Sequence, residues 1–269
     1  MRILIFGDVV GRSGRRGICE ELPYIRRELS IDFVIVNGEN AAGGFGITPK
    51  ICDQFFTAGA DVVTTGNHVW DQKEIIPYID KESRLLRPHN YPMGTPGRGT
   101  GIYEDSVGRK VLVLHFMGLL FMPTLDDPFR GIDQALLNKK LGRDFSAIIL
   151  DFHGEATSEK VAMGHNLDGK VSAVVGTHSH IPTADHHVLP LGTGYITDLG
   201  MCGDYNSVIG MKKEGSISRF RKEVPAPKLE AAEGETTLCG AIIDTDDETG
   251  LTTKIAPFRR GGLLEPTIE

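Results

Sequence analysis

The 269 residues are 40% hydrophobic and 24% charged, ordinary values for a folded protein that exclude a disordered chain and a disulfide-stapled miniprotein. An α/β pattern of this length is expected to form one domain, residues 1–269, around a large core. Its 29 Lys and Arg against 36 Asp and Glu give a net charge of −7, which argues against an extended nucleic-acid surface, because neutralising phosphates takes clustered cations.

In chain order, the short apolar runs "RILIF", "FVIVN", "DVVTT", "KVLVLHF", "SAIILDF" and "VSAVVG" read as buried parallel strands. After the first run, Arg12, Arg15, Arg16, Arg26 and Arg27 fall at helical spacing and read as a solvated helix face, with Arg12 alone kept as a candidate phosphate contact. "AAGGFGITPK" is glycine-rich but lacks the G-K-[ST] ending of a P-loop, so a flexible loop at the edge of a site is expected. Thr48-Pro49 ahead of "KICDQFFTAGA" supplies an N-cap threonine, a first-turn proline and a closing glycine, which predicts a helix. "PMGTPGRGTG" reads either as a lid near a substrate or as turn-rich surface. After Ile181 the segments "HHVLPLG", "GYITDLG" and "TTLCGAIIDTDDETGLTTKIAPF" look antiparallel, which predicts a mixed sheet or a second sheet rather than a purely parallel one. "KKEGSISRFRKEVPAPKLEAAEGE" is loop-like, either an oligomer contact or a surface excursion. The cysteines Cys19, Cys52, Cys202 and Cys239 form no C-x-x-C pair, and no secretory leader precedes "MRILIFGDVV", so reduced thiols in a cytoplasm are expected. The longest apolar run, "VLVLHFMGLLFM", contains His115 and is shorter than the ~20 residues of a membrane span.

The strand ends carry a more specific signal. The runs lead into Gly7-Asp8, Gly38-Glu39-Asn40, Gly66-Asn67-His68, His153, and Thr177-His178-Ser179-His180. Parallel α/β sheets bring such ends to one edge, where ligands bind. Taken singly, Asp8 reads as a helix cap, Asn40 and Asn67 as turn residues, and His153 as a core histidine. Arriving together, they supply carboxylate, amide and imidazole donors, a mixture suited to Zn, Fe, Mn or Ni, without the thiolates of a structural zinc site. Seven or so ligands exceed the needs of one ion, and a carboxylate such as Glu39 can bridge two, the arrangement that clamps attacking and leaving oxygens in phosphoryl displacement. His89, His115, His165, His186 and His187 read as structural or surface residues, Asp185-His186-His187 being the candidate exception. Thr177 and Ser179 lack a serine-hydrolase context. Trp70 and Phe45 suit either base stacking or core packing.

The motifs "GDVV", "NGEN", "GNHVWD", "DFHGE" and "GTHSH", from Gly7 to His180, resemble in order the blocks of the calcineurin-like metallophosphoesterase superfamily. Two departures, Val9-Val10 where the first block usually continues to a histidine ligand and Glu39-Asn40 where a bridging Asp is usual, resemble the bacterial YmdB-type branch, described as 2′,3′-cyclic-nucleotide 2′-phosphodiesterases. "YITDLGMCGDYNSVIGM" and "FMPTLDDPF" extend the similarity along the chain. The resemblance implies an α/β fold, a two-sheet mixed β-sandwich flanked by helices in four layers. It implies two metal ions, Fe or Mn ahead of Zn or Ni. One would be held by Asp8, Glu39, Asn40 and His180, the other by Glu39, Asn67, His153 and His178. A metal-bridging hydroxide would attack phosphorus and His68 would protonate the leaving oxygen, opening 2′,3′-cyclic nucleotides to 3′-nucleotides. Alternatives are a phosphomonoesterase or protein phosphatase on the same metals, and a non-enzymatic metal- or nucleotide-binding regulator. The expected partner is a small cyclic nucleotide or other phosphodiester, with a homo-oligomer possible.

Overall fold

The computed structural model describes residues 1–267. Two mixed sheets stack face to face, with helices against both outer faces. The first sheet runs β2 (Asp8–Val9), β12 (Met201–Asp204), β13 (Thr236–Thr245), β1 (Arg2–Phe6), β3 (Phe33–Asn37), β4 (Val62–Thr64), β5 (Leu85–Leu86), with β14 (Thr252–Arg260) also paired to β13. The second runs β10 (His187–Val188), β11 (Gly194–Ile196), β9 (Ala173–Thr177), β8 (Ala147–His153), β7 (Lys110–Met117), β6 (Thr100–Glu104). Parallel pairing links β1, β3, β4 and β5 in one sheet and β7, β8, β9 and β11 in the other.

Side-chain alternation builds the layers. In β1, Ile3 and Ile5 face the second sheet and meet Phe33, Ile35, Val113 and Ile149. Leu4 and Phe6 point outward onto α1 (Gly11–Glu28) and α2 (Pro49–Ala58), against Ile18, Leu22, Ile25 and Phe55. Behind the second sheet, Leu114, Phe116, Leu150 and Phe152 meet Ile132 of α4 (Pro128–Ala135) and Met163 of α5 (Thr157–Asn166). Central strands are therefore buried on both faces, which is why the sequence shows continuous apolar runs there. The expected four-layer α/β sandwich is the observed architecture.

The Thr48-Pro49 signature opens α2: Thr48 Oγ1 accepts the Ile51 N–H at 3.4 Å, and Gly59 closes the helix at φ 111°. A short 3₁₀ turn and α3 (Ile76–Ile79) connect β4 to β5. β13 and β14 form the expected antiparallel pair, and β10 is antiparallel to β11. "GYITDLG", expected to be antiparallel, supplies β11, which has that antiparallel pairing to β10 on one side and lies parallel to β9 on the other; its polar neighbours hide a strand that adds to the second sheet. The polar segment 212–235, expected to be a loop, contains α6 (Lys213–Phe220) with Ser216 and Ser218 buried. Its flanks sit tightly on two glycines, since a Cβ at Gly44 would crowd Met211 and one at Gly11 would crowd Ala231. "PMGTPGRGTG" wraps around Arg87, whose guanidinium donates to the carbonyls of Thr95, Pro96 and Gly97. No helix among the described residues is long and apolar enough to cross a membrane.

Candidate metal centre

The inner faces of the two sheets change character as they approach the shared edge. Along β3, Phe33 and Ile35 give way to Asn37; along β4, Val62 to Thr64; along β7, Val113 to His115; along β8, Ile149 to Asp151; along β9, Val175 to Thr177. All five polar residues are fully buried. One to three residues further on lie the predicted site residues, Glu39 beyond β3, Asn67 beyond β4, His153 ending β8, and His178 and His180 beyond β9. Asp8, in β2 just past β1, joins them.

The structure brings these together in two groups. His153 Nε2 lies 2.7 Å from Glu39 Oε2, 3.1 Å from Asn67 Oδ1 and 3.1 Å from His178 Nδ1. Beside this group, His180 Nε2 lies 3.2 Å from Asn40 Oδ1. Asp8 connects to the first, Oδ2 accepting the His178 N–H at 3.0 Å, while its buried Oδ1, 3.8 Å from His153 Nδ1, has no hydrogen-bond partner among the described residues. His178 and His180 adopt left-handed φ values of 101° and 66°, an unfavourable backbone that turns both imidazoles toward the edge. Gly66 is required, because a Cβ there would collide with Glu39 Oε1 and His153 Nε2.

Partners on the far side of each ring fix the tautomers. His180 Nδ1 faces the Ile209 carbonyl at 2.8 Å, an acceptor only, so the proton sits there and Nε2 offers a lone pair. His178 Nε2 lies 3.2 Å from Glu155 Oε2, leaving Nδ1 for the cluster. Electron-rich atoms so close together demand a positive charge. A proton on His153 goes part of the way: burial opposes it, but the charge and hydrogen bond of Glu39 raise His153 to about 9. Burial also disfavours the Glu39 anion, yet His153 and the His68 N–H hold its pKa below the ordinary carboxylate range. Burial raises Asp8 to about 7 against the lowering effect of His180 and His153. Burial, with His153 alongside, pushes His178 down to about 3, keeping it a neutral donor. The orphaned Asp8 oxygen and the imidazole–carboxylate–amide donor set, with no thiolate, fit a metal ion. Glu39, His153 and His178 alone place three donor atoms within 4.8 Å of one another.

His68 occupies the rim. Its backbone N–H donates to Glu39 Oε1 at 2.8 Å, while its partly exposed ring pairs Nδ1 with Asp71 Oδ2 at 2.8 Å. Phe45 meets that ring edge-on, with centroids 5.2 Å apart, and its loop is held by Gln72, whose Nε2 donates to Phe45 O at 2.8 Å. The glycine-rich segment is thus a site-edge loop, also tied to Asn40 through Asn40 Nδ2 donating to Gly44 O at 3.0 Å. Arg12 is an exposed residue lining a cleft of about 580 Å³ shared with Phe45 and Gln72. Trp70 packs edge-on against Tyr91 at the margin of the core. Asp185, the candidate exception, gives nothing to the centre: its carboxylate caps Thr197, and His186 and His187 are exposed. Asp71, Glu155, Asn37, Asp151 and Thr177 are contacts that sequence reasoning did not assign. An acidic Asp151 within the otherwise apolar "AIILDF" was the available signal.

A two-sheet sandwich with this donor cluster at one edge is a metallophosphoesterase-type fold. The chain belongs to the YmdB-like protein family, whose sequence profile matches residues 4–258. It is 47% identical over 255 residues, 95% of each chain, to the 2′,3′-cyclic-nucleotide 2′-phosphodiesterase of Bacillus subtilis. Its fold is similar to the crystal structure of a hypothetical protein from Thermus thermophilus, with a TM-score of 0.90 and 41% identity over 98% of this chain and 100% of that one. It is also similar to that of a phosphatase from Mycoplasma pneumoniae, with a TM-score of 0.89 and 32% identity over 97% and 93% of the chains.

Proposed function

We propose that this chain, as one domain spanning 1–269, is a metal-dependent phosphodiesterase that opens 2′,3′-cyclic nucleotides to 3′-nucleotides. The observation that carries this is the convergence of Glu39, Asn67, His153 and His178 on one point, with Asn40, His180 and the unpartnered Asp8 oxygen beside it. The B. subtilis relative's activity supports the choice of substrate. Asp8, Glu39, Asn40 and His180 would hold one ion, and Glu39, Asn67, His153 and His178 the other, with Fe or Mn preferred to Zn or Ni. When bound, such ions supply Lewis acidity and activate water for attack on phosphorus.

The chain's own residues divide the remaining work. Burial of Asp8, Glu39 and His153 excludes competing solvent from the ligand floor. Asp71 accepts from His68 Nδ1, which orients Nε2. As the P–O2′ bond breaks, His68 Nε2–H gives its proton to O2′, leaving a 2′-hydroxyl and a 3′-phosphomonoester. General acids of this kind contribute ~10²–10⁴-fold. The description of the Mycoplasma structure as a phosphatase favours phosphomonoesters as a second reading. Hydrolysis of 2′,3′-cyclic AMP, bis-p-nitrophenyl phosphate and p-nitrophenyl phosphate by metal-reconstituted protein separates the two. Turnover of the diesters well above the monoester is expected; the reverse order would establish the phosphatase.

A further inference from the structure

Beneath the donor cluster lies a carboxylate with no part in the proposed chemistry. Asp151 sits two residues before His153 in β8, so both side chains leave the strand on the face between the sheets. It is fully buried. Its Oδ1 accepts from Thr177 Oγ1 at 2.7 Å, and its Oδ2 accepts from Thr64 Oγ1 at 2.6 Å and Asn37 Nδ2 at 3.2 Å. These donors come from three strands of both sheets. His115 also lies beside it, its Nδ1 3.6 Å from Oδ2, and burial holds that imidazole below its ordinary pKa.

Two of these bonds continue to the donor cluster. The Thr177 hydroxyl has one hydrogen and gives it to Asp151, so it can only accept from His153 Nδ1, 2.9 Å away. That fixes a hydrogen on His153 Nδ1, so that an ion replacing the second proton would find the Nε2 lone pair facing Glu39, Asn67 and His178. Asn37, held by Asp151 and by the Thr65 carbonyl at 2.9 Å, turns its Oδ1 to accept the Glu39 N–H at 3.0 Å. We infer that Asp151 is the positioning residue of the centre, fixing the donor nitrogen of His153 through Thr177 and the Glu39 turn through Asn37. Partners that orient a ligand in this way typically contribute 10–100-fold to metal affinity. The inference rests on the metal centre proposed above, but not on its substrate.

Thr177→Val removes the relay at nearly constant shape, and Thr177→Ser restores it; Asp151→Asn tests the carboxylate where that variant folds. Chelator-stripped protein is titrated with Zn²⁺ as a diamagnetic probe, and the Zn²⁺-loaded form is examined by long-range ¹H–¹⁵N correlation of its histidines. Wild type should show His153 protonated at Nδ1 with a protected proton. Thr177→Val should bind Zn²⁺ about 10–100-fold more weakly and lose that protection, and Thr177→Ser should recover both. Unchanged affinity and an unchanged Nδ1–H signal in Thr177→Val would reduce the network to fold support and overturn the inference. So would equal losses in the Val and Ser variants. Wild-type protein that binds no Zn²⁺ would overturn the centre and the inference together, whereas Zn²⁺ binding without diester turnover would overturn the substrate and leave the inference standing.

Discussion

The floor and the rim of the centre are built by different means. The floor, Asp8, Glu39, Asn40, His153 and His180, is less than a tenth exposed and set by strands of two sheets pressed together. The rim, with His68, Asp71, Phe45 and Gln72, is partly open and held by loop contacts. A buried floor can keep lone pairs converging without a charge to balance them only at a cost in stability, whereas a rim residue can be removed and leave its solvated neighbours satisfied. The difference teaches that floor residues should control whether metal binds, and rim residues how fast the bound site reacts.

Substitutions that test this division can be ranked by effect. Glu39→Ala or His153→Ala, which strip the floor, should reduce metal affinity by more than about 100-fold, since outer partners alone cost 10–100-fold, and turnover should vanish with it; metal-saturated protein would contradict the assignment. His68→Ala should lower kcat by roughly 10²–10⁴-fold, and Asp71→Asn should cause a smaller loss in the same parameter because the imidazole is then only misoriented. Both should retain their metal by elemental analysis.

The floor should also betray itself through pH in metal-stripped protein. Folded-state values of His153 and Asp8 are raised, from 6.5 to about 9 and from 3.8 to about 7. A raised group contributes stability that is complete below its unfolded pKa and lost as pH climbs through the folded one. Asp8 therefore gives up its share between about pH 3.8 and 7, and the stripped protein should lose the His153 share between about pH 6.5 and 9, by several degrees at the 2–4 °C per kcal/mol usual for about this chain length. Bound metal should flatten that loss, because it replaces the His153 proton. A melting temperature that holds steady or rises over this interval in stripped protein would count against the electrostatic account. At the small end of the ranking, His187→Ala, on an exposed residue, should leave metal content and turnover unchanged.

The floor was also the legible part of the sequence. Strands buried on both faces announce themselves as continuous apolar runs, so polar residues at the end of each run stand out, and Asp8, Glu39, Asn40, His153 and His180 could be picked up together with their neighbours Asn67 and His178. Asp151 and Thr177 were harder, because their meaning lies in contacts across 26 residues of sequence that neither strand shows alone. Of the rim, His68 was legible at the end of its run beside Asn67, but the contacts that hold it left still less trace. Glycines 43, 44 and 46 signal a loop with left-handed backbone but not that it would set Phe45 against His68. Likewise, nothing in "GYITDLG" shows that it joins β9 in parallel, since pairing direction depends on where the preceding turn returns the chain.

The division between floor and rim is tested most directly by the metal-to-chain ratio of His68→Ala, measured beside wild type after purification without chelators. The account predicts two ions per chain in both proteins, with turnover of 2′,3′-cyclic AMP lost in the variant. Fewer ions in His68→Ala than in wild type would make His68 a ligand and contradict it.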